Sequence, residues 1–252
     1  MQHSQAWIRV LPKPAIGWGR GLSTPSKVLK GIWVTGLTVA LVACGGGGAE
    51  SSTTTPSLTL ARPASYVLKW SDEFTISGVP GSAWTYDLGS PLLGGTVWGN
   101  SEKQYYTSDP TNVSVNNGML TIQPVQGIPS GAPTGLGLLA TSARIKTDTP
   151  AYYNALKATP YGFYEIRAKV QCVDGAWPAI WMMGRDGNWP ARGEIDIMEW
   201  FGGIAEFRTH PNQVQSAVHT KHNHWGSAAG LLYAKRDVAN MCSQFHLFQL
   251  HW

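Results

Sequence analysis

The sequence predicts an all-β protein, a sandwich or barrel of short antiparallel strands. Three observations carry this. Past residue 64 the chain breaks into short apolar runs punctuated by Gly, Pro and Asn, the pattern of many strands joined by turns. Tyr164, Ile166, Ala168 and Val170 alternate with Glu165, Arg167 and Lys169, so one strand face is apolar and the other polar. No stretch in the same region sustains a 3.6-residue period, which argues against helical layers. With 43% hydrophobic residues in 252, the chain can bury a core.

Taken in order, Lys27 and Lys30 precede an apolar run of 13 residues, Gly31 to Ala43. That is too short to span a bilayer and matches a secretory leader. It ends in Leu41-Val42-Ala43-Cys44, which resembles the lipobox of bacterial lipoproteins, with Cys44 as the lipidated residue after cleavage. Residues 1–44 are therefore expected to be a lipoprotein signal peptide with a long basic start. This region holds Arg9, Lys13, Arg20, Lys27 and Lys30 and no acid, leaving 14 of the 19 basic residues against all 15 acidic ones. The formal charge of +4 thus belongs to the leader and implies no nucleic-acid partner. Residues 45–64, rich in Gly, Ser and Thr, read as a flexible tether. Residues 65–252 read as the functional domain.

Within that domain strands are expected at Tyr66–Phe74, at Met119–Val125 after the turn Asn116-Asn117-Gly118, and at Tyr164–Val170. They continue at Trp177–Met183, Glu194–Phe201, Val214–Thr220 and Phe245–Trp252. Cys172 and Cys242 are the two cysteines of the domain; in an exported chain they either bridge or leave a buried free thiol.

The most informative strand is Glu194-Ile195-Asp196-Ile197-Met198-Glu199. Carboxylates cost several kcal/mol to desolvate, so three of them among Ile and Met point to a function. Alternation puts Glu194 and Asp196 on one face, and a bulge at Ile197-Met198 returns Glu199 to it. Glycosidic hydrolysis with retention needs two carboxyl groups about 5–5.5 Å apart, one as nucleophile and one as acid/base. Crowded like charges raise at least one pKa, which keeps a proton donor available near neutral pH. The 12 Trp residues suit sugar recognition, because aromatic faces stack on the C–H faces of sugar rings. Trp177 and Trp181, four apart, fall on one side of a strand.

Gly193–Trp200 (GEIDIMEW) resembles the signature of glycoside hydrolase family 16, in the bulged form of its laminarinase-like members. Trp98–Thr107 (WGNSEKQYYT), Ser142–Thr147 (SARIKT), GAWPAIWMMG within Tyr161–Gly184, Val218-His219-Thr220 and FHLFQLHW agree with it, so the resemblance spans about residues 66–252. It implies a jelly-roll β-sandwich of two curved antiparallel sheets with the substrate cleft across the concave one. It further implies Glu194 as nucleophile, Glu199 as acid/base, Asp196 holding and tuning the pair, and His219 hydrogen-bonding beside the cleaved bond. Trp177 and Trp181 would line the cleft, with Asn100 and Arg144 binding hydroxyls upstream of that bond. Trp98, Trp189 and Trp200 are further candidates for sugar contact. Glu73 with the Gly118 backbone resembles part of a structural calcium site of some members, although catalysis itself requires no cofactor. The family continues several strands beyond a segment like FHLFQLHW, so the resemblance also implies a sandwich lacking its C-terminal strands.

The expected activity is endo-hydrolysis of laminarin-like β-1,3-glucan by a monomer held at the cell envelope through its lipid. The rivals are mixed-linkage glucan, a galactan such as agar or carrageenan, and a carbohydrate-binding fragment that has lost catalysis.

Overall fold

The computed structural model describes residues 60–90, 102–132, 135, 137–150, 152 and 161–252, and the backbone of Trp7–Pro12. All lie in one unit, Met1–Pro14 with Leu60–Trp252; a second unit, Ala15–Thr59, falls outside the described residues. The expected signal peptide boundary at Cys44 and most of the tether therefore fall outside them too.

The chain is all-β, and its architecture is the expected jelly roll. The first half carries β1 (Trp7–Pro12), β2 (Trp70–Asp72), β3 (Thr85–Asp87), β4 (Gln104–Tyr106), β5 (Val113–Asn116), β6 (Met119–Ile122) and β7 (Val125–Gln126). Next come β8 (Ala140–Ser142), β9 (Arg144–Lys146), β10 (Gly162–Ala168), β11 (Ala179–Met183) and β12 (Glu194–Glu199). The short helix α1 (Ala205–Thr209) leads to β13 (Gln213–His219), β14 (Leu232–Asp237) and β15 (His246–His251).

Two four-stranded antiparallel sheets organise these strands, in the orders β15-β10-β1-β2 and β11-β12-β13-β14. Smaller sheets pair β3 with β9, β5 with β6, and β4-β8-β7, where β4 and β8 run parallel. The predicted turn is present: Asn117 and Gly118, at φ 52° and 71°, form a two-residue hairpin loop between the paired Asn116 and Met119.

The core explains why the acidic strand faces as it does. Tyr164 and Ile166 of β10 pack with Ile180 and Met182 of β11 and Ile197 of β12. Met198 of β12 and Val214 of β13 pack with Val170, Met241 and Phe248. Each such side chain contributes roughly 1.5–3 kcal/mol when fully buried, so Ile197 and Met198 hold this face of β12 against the opposing sheet. The acids are left on the other face. Cys172 and Cys242 form a disulfide, with Sγ–Sγ 2.12 Å, so of the two sequence alternatives the bridge is the one found. It joins the segment after β10 to the segment after β14.

The sequence-predicted strands all appear, some shortened. Tyr66–Phe74 shrinks to Trp70–Asp72, because Asp72 turns the chain by accepting hydrogen bonds from the Phe74 N–H and the Trp84 Nε1–H, each at 2.8 Å. The segment read as the start of the leader contributes β1, paired on both sides with β2 and β10. A chain cleaved before Cys44 would not retain it.

Candidate active site

The site is built on the outward face of β12. Two glycines set its beginning. Gly193 adopts φ +78°, which costs a side-chain-bearing residue strain. A Cβ on Gly184 would lie 1.9 Å from the Arg192 carbonyl, so only glycine lets the end of β11 meet the turn that launches β12. From there Glu194 pairs with His219, Asp196 with Ala217, and Glu199 with Gln215 across β13. Between Asp196 and Glu199, β12 has one more residue than β13, which is the bulge expected at Ile197-Met198. Ser216 Oγ donates to the Ile197 carbonyl at 2.8 Å and ties it down. Directly opposed residues share a face. Glu194, Asp196, Glu199, His219 and Gln215 are therefore brought together.

Each carboxyl has its own surroundings. Glu199 is buried, and its Oε1 accepts the Trp177 Nε1–H at 3.0 Å. Burial raises its pKa to about 7, with the charge of Glu194 pushing the same way and hydrogen bonds from Trp177 and Gln215 opposing. Asp196 is also buried; burial, then the charges of Glu199 and Glu194, then a hydrogen bond with Glu194, raise its pKa to about 8. His219 Nε2 lies 3.1 Å from Asp196 Oδ2. Burial lowers the His219 pKa, with His224 adding to the effect against the opposing pull of Glu194. At neutral pH the arrangement is thus a neutral imidazole donating to Asp196, and a protonated Asp196 hydrogen-bonded to Glu194. Glu194 Oε2 accepts the Trp189 Nε1–H at 2.6 Å.

This gives the acids separate capacities. Glu194, fixed by an indole N–H and a neighbouring protonated carboxyl, can act as a positioned nucleophile. Glu199 titrates close to neutrality, where one group can both give and take a proton. Asp196 orients Glu194 and is itself oriented by His219.

The predicted sugar contacts divide. Trp177 is partly exposed, but its indole N–H is engaged by Glu199, so it acts on that carboxyl as well as offering a ring. Trp181 pairs with Asp196 across β11 and β12, and the Arg144 guanidinium lies over its ring at 4.6 Å. Arg144 Nε also donates to Asp87 Oδ2 at 2.9 Å. Trp189 packs its ring between His219 and His224 and remains 42% exposed. Trp200 is a correction. It is 1% exposed, and its Nε1–H donates to the Pro211 carbonyl at 3.2 Å, so it belongs to the core and cannot touch sugar. The alternation that places Glu199 outward places Trp200 inward. Asn100, Trp98 and Cys44 lie outside the described residues.

Glu73 and Gly118 are the remaining candidates. Among the described residues no three His, Cys, Asp or Glu side chains come together to hold a metal. Calcium takes six to eight oxygens, of which Glu73 and the Gly118 carbonyl would supply part, and no catalytic step is routed through it. Sequence reasoning missed Gln215 and Asp87. Gln215 was legible in principle, since it falls four residues before His219 and so on the same strand face. Asp87 carries no local signal.

The geometry agrees with what the chain is similar to. The sequence model of Glycosyl hydrolases family 16 matches residues 100–252. A β-glucanase of Rhodothermus marinus is 36% identical over 197 residues, covering 73% of this chain and 59% of that protein. Glucan endo-1,3-β-glucosidase A1 of Niallia circulans is 32% identical over 193 residues, covering 73% and 26%. The chain thus spans less than two thirds of the length of these relatives. Among solved structures, SCLam, a non-specific endo-β-1,3(4)-glucanase, superposes with TM-score 0.63 at 36% identity, over 77% of this chain and 67% of that one. On its sequence and its fold, the chain belongs to glycosyl hydrolases family 16.

Proposed function

We propose that the protein hydrolyses internal bonds of laminarin-like β-1,3-glucan with retention of configuration. The observation that carries this reading is the acid row of β12, in which a positioned Glu194 and a protonatable Glu199 share one face with Asp196 between them. Glu194 attacks the anomeric carbon while Glu199 protonates the departing oxygen, giving a glycosyl-enzyme ester. Glu199, now ionised, takes a proton from water, which attacks the same carbon and releases Glu194. Asp196 and His219 hold Glu194 in line, and Trp181, Trp177 and Trp189 offer rings to the sugars beside the cleaved bond. Relatives named for β-1,3-glucan cleavage support this substrate. One named for β-1,3(4)-glucan supports mixed-linkage glucan as the second reading.

The test is reducing-sugar release from laminarin, lichenan, agar and carrageenan by the wild type and by Glu194→Gln. Release from laminarin that disappears in the variant is expected. Release that persists removes Glu194 from its role, and binding without release makes the protein a carbohydrate-binding module.

We further infer from the lipobox-like Leu41–Cys44 that the protein is exported and anchored to the cell envelope through Cys44, in a processed form that has given up β1 and the pairing it offers β2 and β10. Globomycin should block its processing; unchanged migration would refute the anchor.

A further inference from the structure

The sheet that carries β12 has a second aromatic station, on β14. Reading across the sheet, Trp181 of β11, Asp196 of β12, Ala217 of β13 and Tyr233 of β14 stand in register. Directly opposed residues project to the same face, so Tyr233 stands on the face that carries the acids. It is 58% exposed, whereas Ala217 beside it is buried and small. The row thus runs from buried Asp196 through a small buried residue to the exposed ring of Tyr233.

The next row explains what supports that ring. Glu199, Gln215 and Lys235 are in register, and Lys235 Nζ lies 5.9 Å from the Tyr233 ring and 5.2 Å from the Phe207 ring. Lys235 also pairs with Glu206 of α1. Phe207 packs on Phe201, Phe201 on Trp177, and Trp177 donates to Glu199. A chain of contacts through the buried Phe207 thus links the Glu199 carboxyl to Lys235 and Tyr233. Trp181, under Arg144, lies on the opposite side of β12. With Arg144 read as an upstream contact, β14 lies downstream, on the side toward which the leaving segment departs.

We propose that Tyr233 is a stacking platform for the downstream part of a β-glucan chain, separated from the cleavage point by more than one sugar ring. Two strand spacings of about 4.8 Å put it about 10 Å from β12, which a single downstream unit does not span with its ring face. The proposal rests on the β-glucan reading above and adds a preference for longer substrates.

The experiment compares laminaritriose with laminariheptaose in wild type, Tyr233→Ala and Tyr233→Phe, with thermal melts to confirm folding. The expected result is that Tyr233→Ala lowers the heptaose-to-triose ratio of kcat/KM about tenfold, and that Tyr233→Phe restores it. An undiminished ratio in Tyr233→Ala, or an equal loss on both oligosaccharides, overturns the platform. A wild type that cleaves neither oligosaccharide defeats the activity reading instead. Retardation in laminarin gels then decides Tyr233 by binding: its loss in Tyr233→Ala supports the platform, and its persistence overturns it.

Discussion

Replacing Trp177 by Phe keeps a ring against Phe201 but deletes the N–H that Glu199 Oε1 accepts at 3.0 Å. That hydrogen bond favours the ionised carboxylate, and it is the largest influence opposing the upward push of burial. Removing it should raise the Glu199 pKa above about 7. A hydrogen bond to a charged group contributes roughly 1.5 kcal/mol at the low end, which corresponds to about one pK unit. The low end is appropriate because Trp177 is partly open to water. In the proposed mechanism protonated Glu199 is the proton donor of the first step, so activity should fall as pH rises through its pKa. In Trp177→Phe the alkaline limb of the kcat/KM profile on laminarin should then move up by about one pH unit. A limb that stays in place, or moves down, would refute the tuning of Glu199 by Trp177. Lower activity with no shift would mean that Trp177 serves only as a sugar contact.

Other outcomes follow from the same geometry. The Asp196 carboxyl titrates near 3.8 when unfolded and near 8 when folded, so between those values the unfolded state sheds a proton that the folded state keeps. Stability from this group is present below about pH 4 and lost as pH rises toward 8. Asp196→Asn should therefore raise Tm relative to wild type by an amount that grows from pH 5 to pH 8, with activity lost; a constant difference would contradict the shift. Breaking Cys172–Cys242, which closes a loop of sequence separation 70, should cost about 4 kcal/mol in denaturant unfolding, and a cost below about 1 kcal/mol would show that the bridge hardly constrains the chain. Trp200→Ala should destabilise by about 3–5 kcal/mol, with the surviving folded enzyme keeping its KM, because the ring is in the core. A raised KM at full stability would return Trp200 to the cleft.

How much of this was legible in the sequence follows from the length scale of each signal. Period-two alternation is local, so β10 and the facing of Glu194 and Asp196 could be read directly. The bulge was legible because the third acid is out of phase by one, a mismatch visible within six residues. Trp200 was misjudged because aromatic character alone does not separate a sugar platform from a core ring. The step from Glu199 outward to Trp200 inward was the local cue, and the inward ring then donates to the Pro211 carbonyl, 11 positions away. Trp177's bond to Glu199 bridges 22 positions, and Asp87's bond to Arg144 bridges 57. Such pairings depend on strand order, which composition and periodicity do not encode. β14 escaped notice for a related reason: its alternation is weak, with Leu232, Tyr233 and Ala234 all exposed.

The bulge in β12 also bears on how such a site can change over generations. Counted along β13, Glu194, Asp196 and Glu199 stand opposite His219, Ala217 and Gln215, at even two-residue steps. The partner strand thus has the spacing that an unbulged strand would match. Deleting one residue at Ile197 or Met198 would leave plain alternation, with all three acids still outward and at the same steps. Deleting Ile195 would instead turn Glu194 inward. In a regular strand a one-residue deletion turns every side chain on one side of it to the opposite face. This one has a position where such a deletion spares the catalytic phase and costs only core volume, so a bulged and an unbulged lineage can be one event apart.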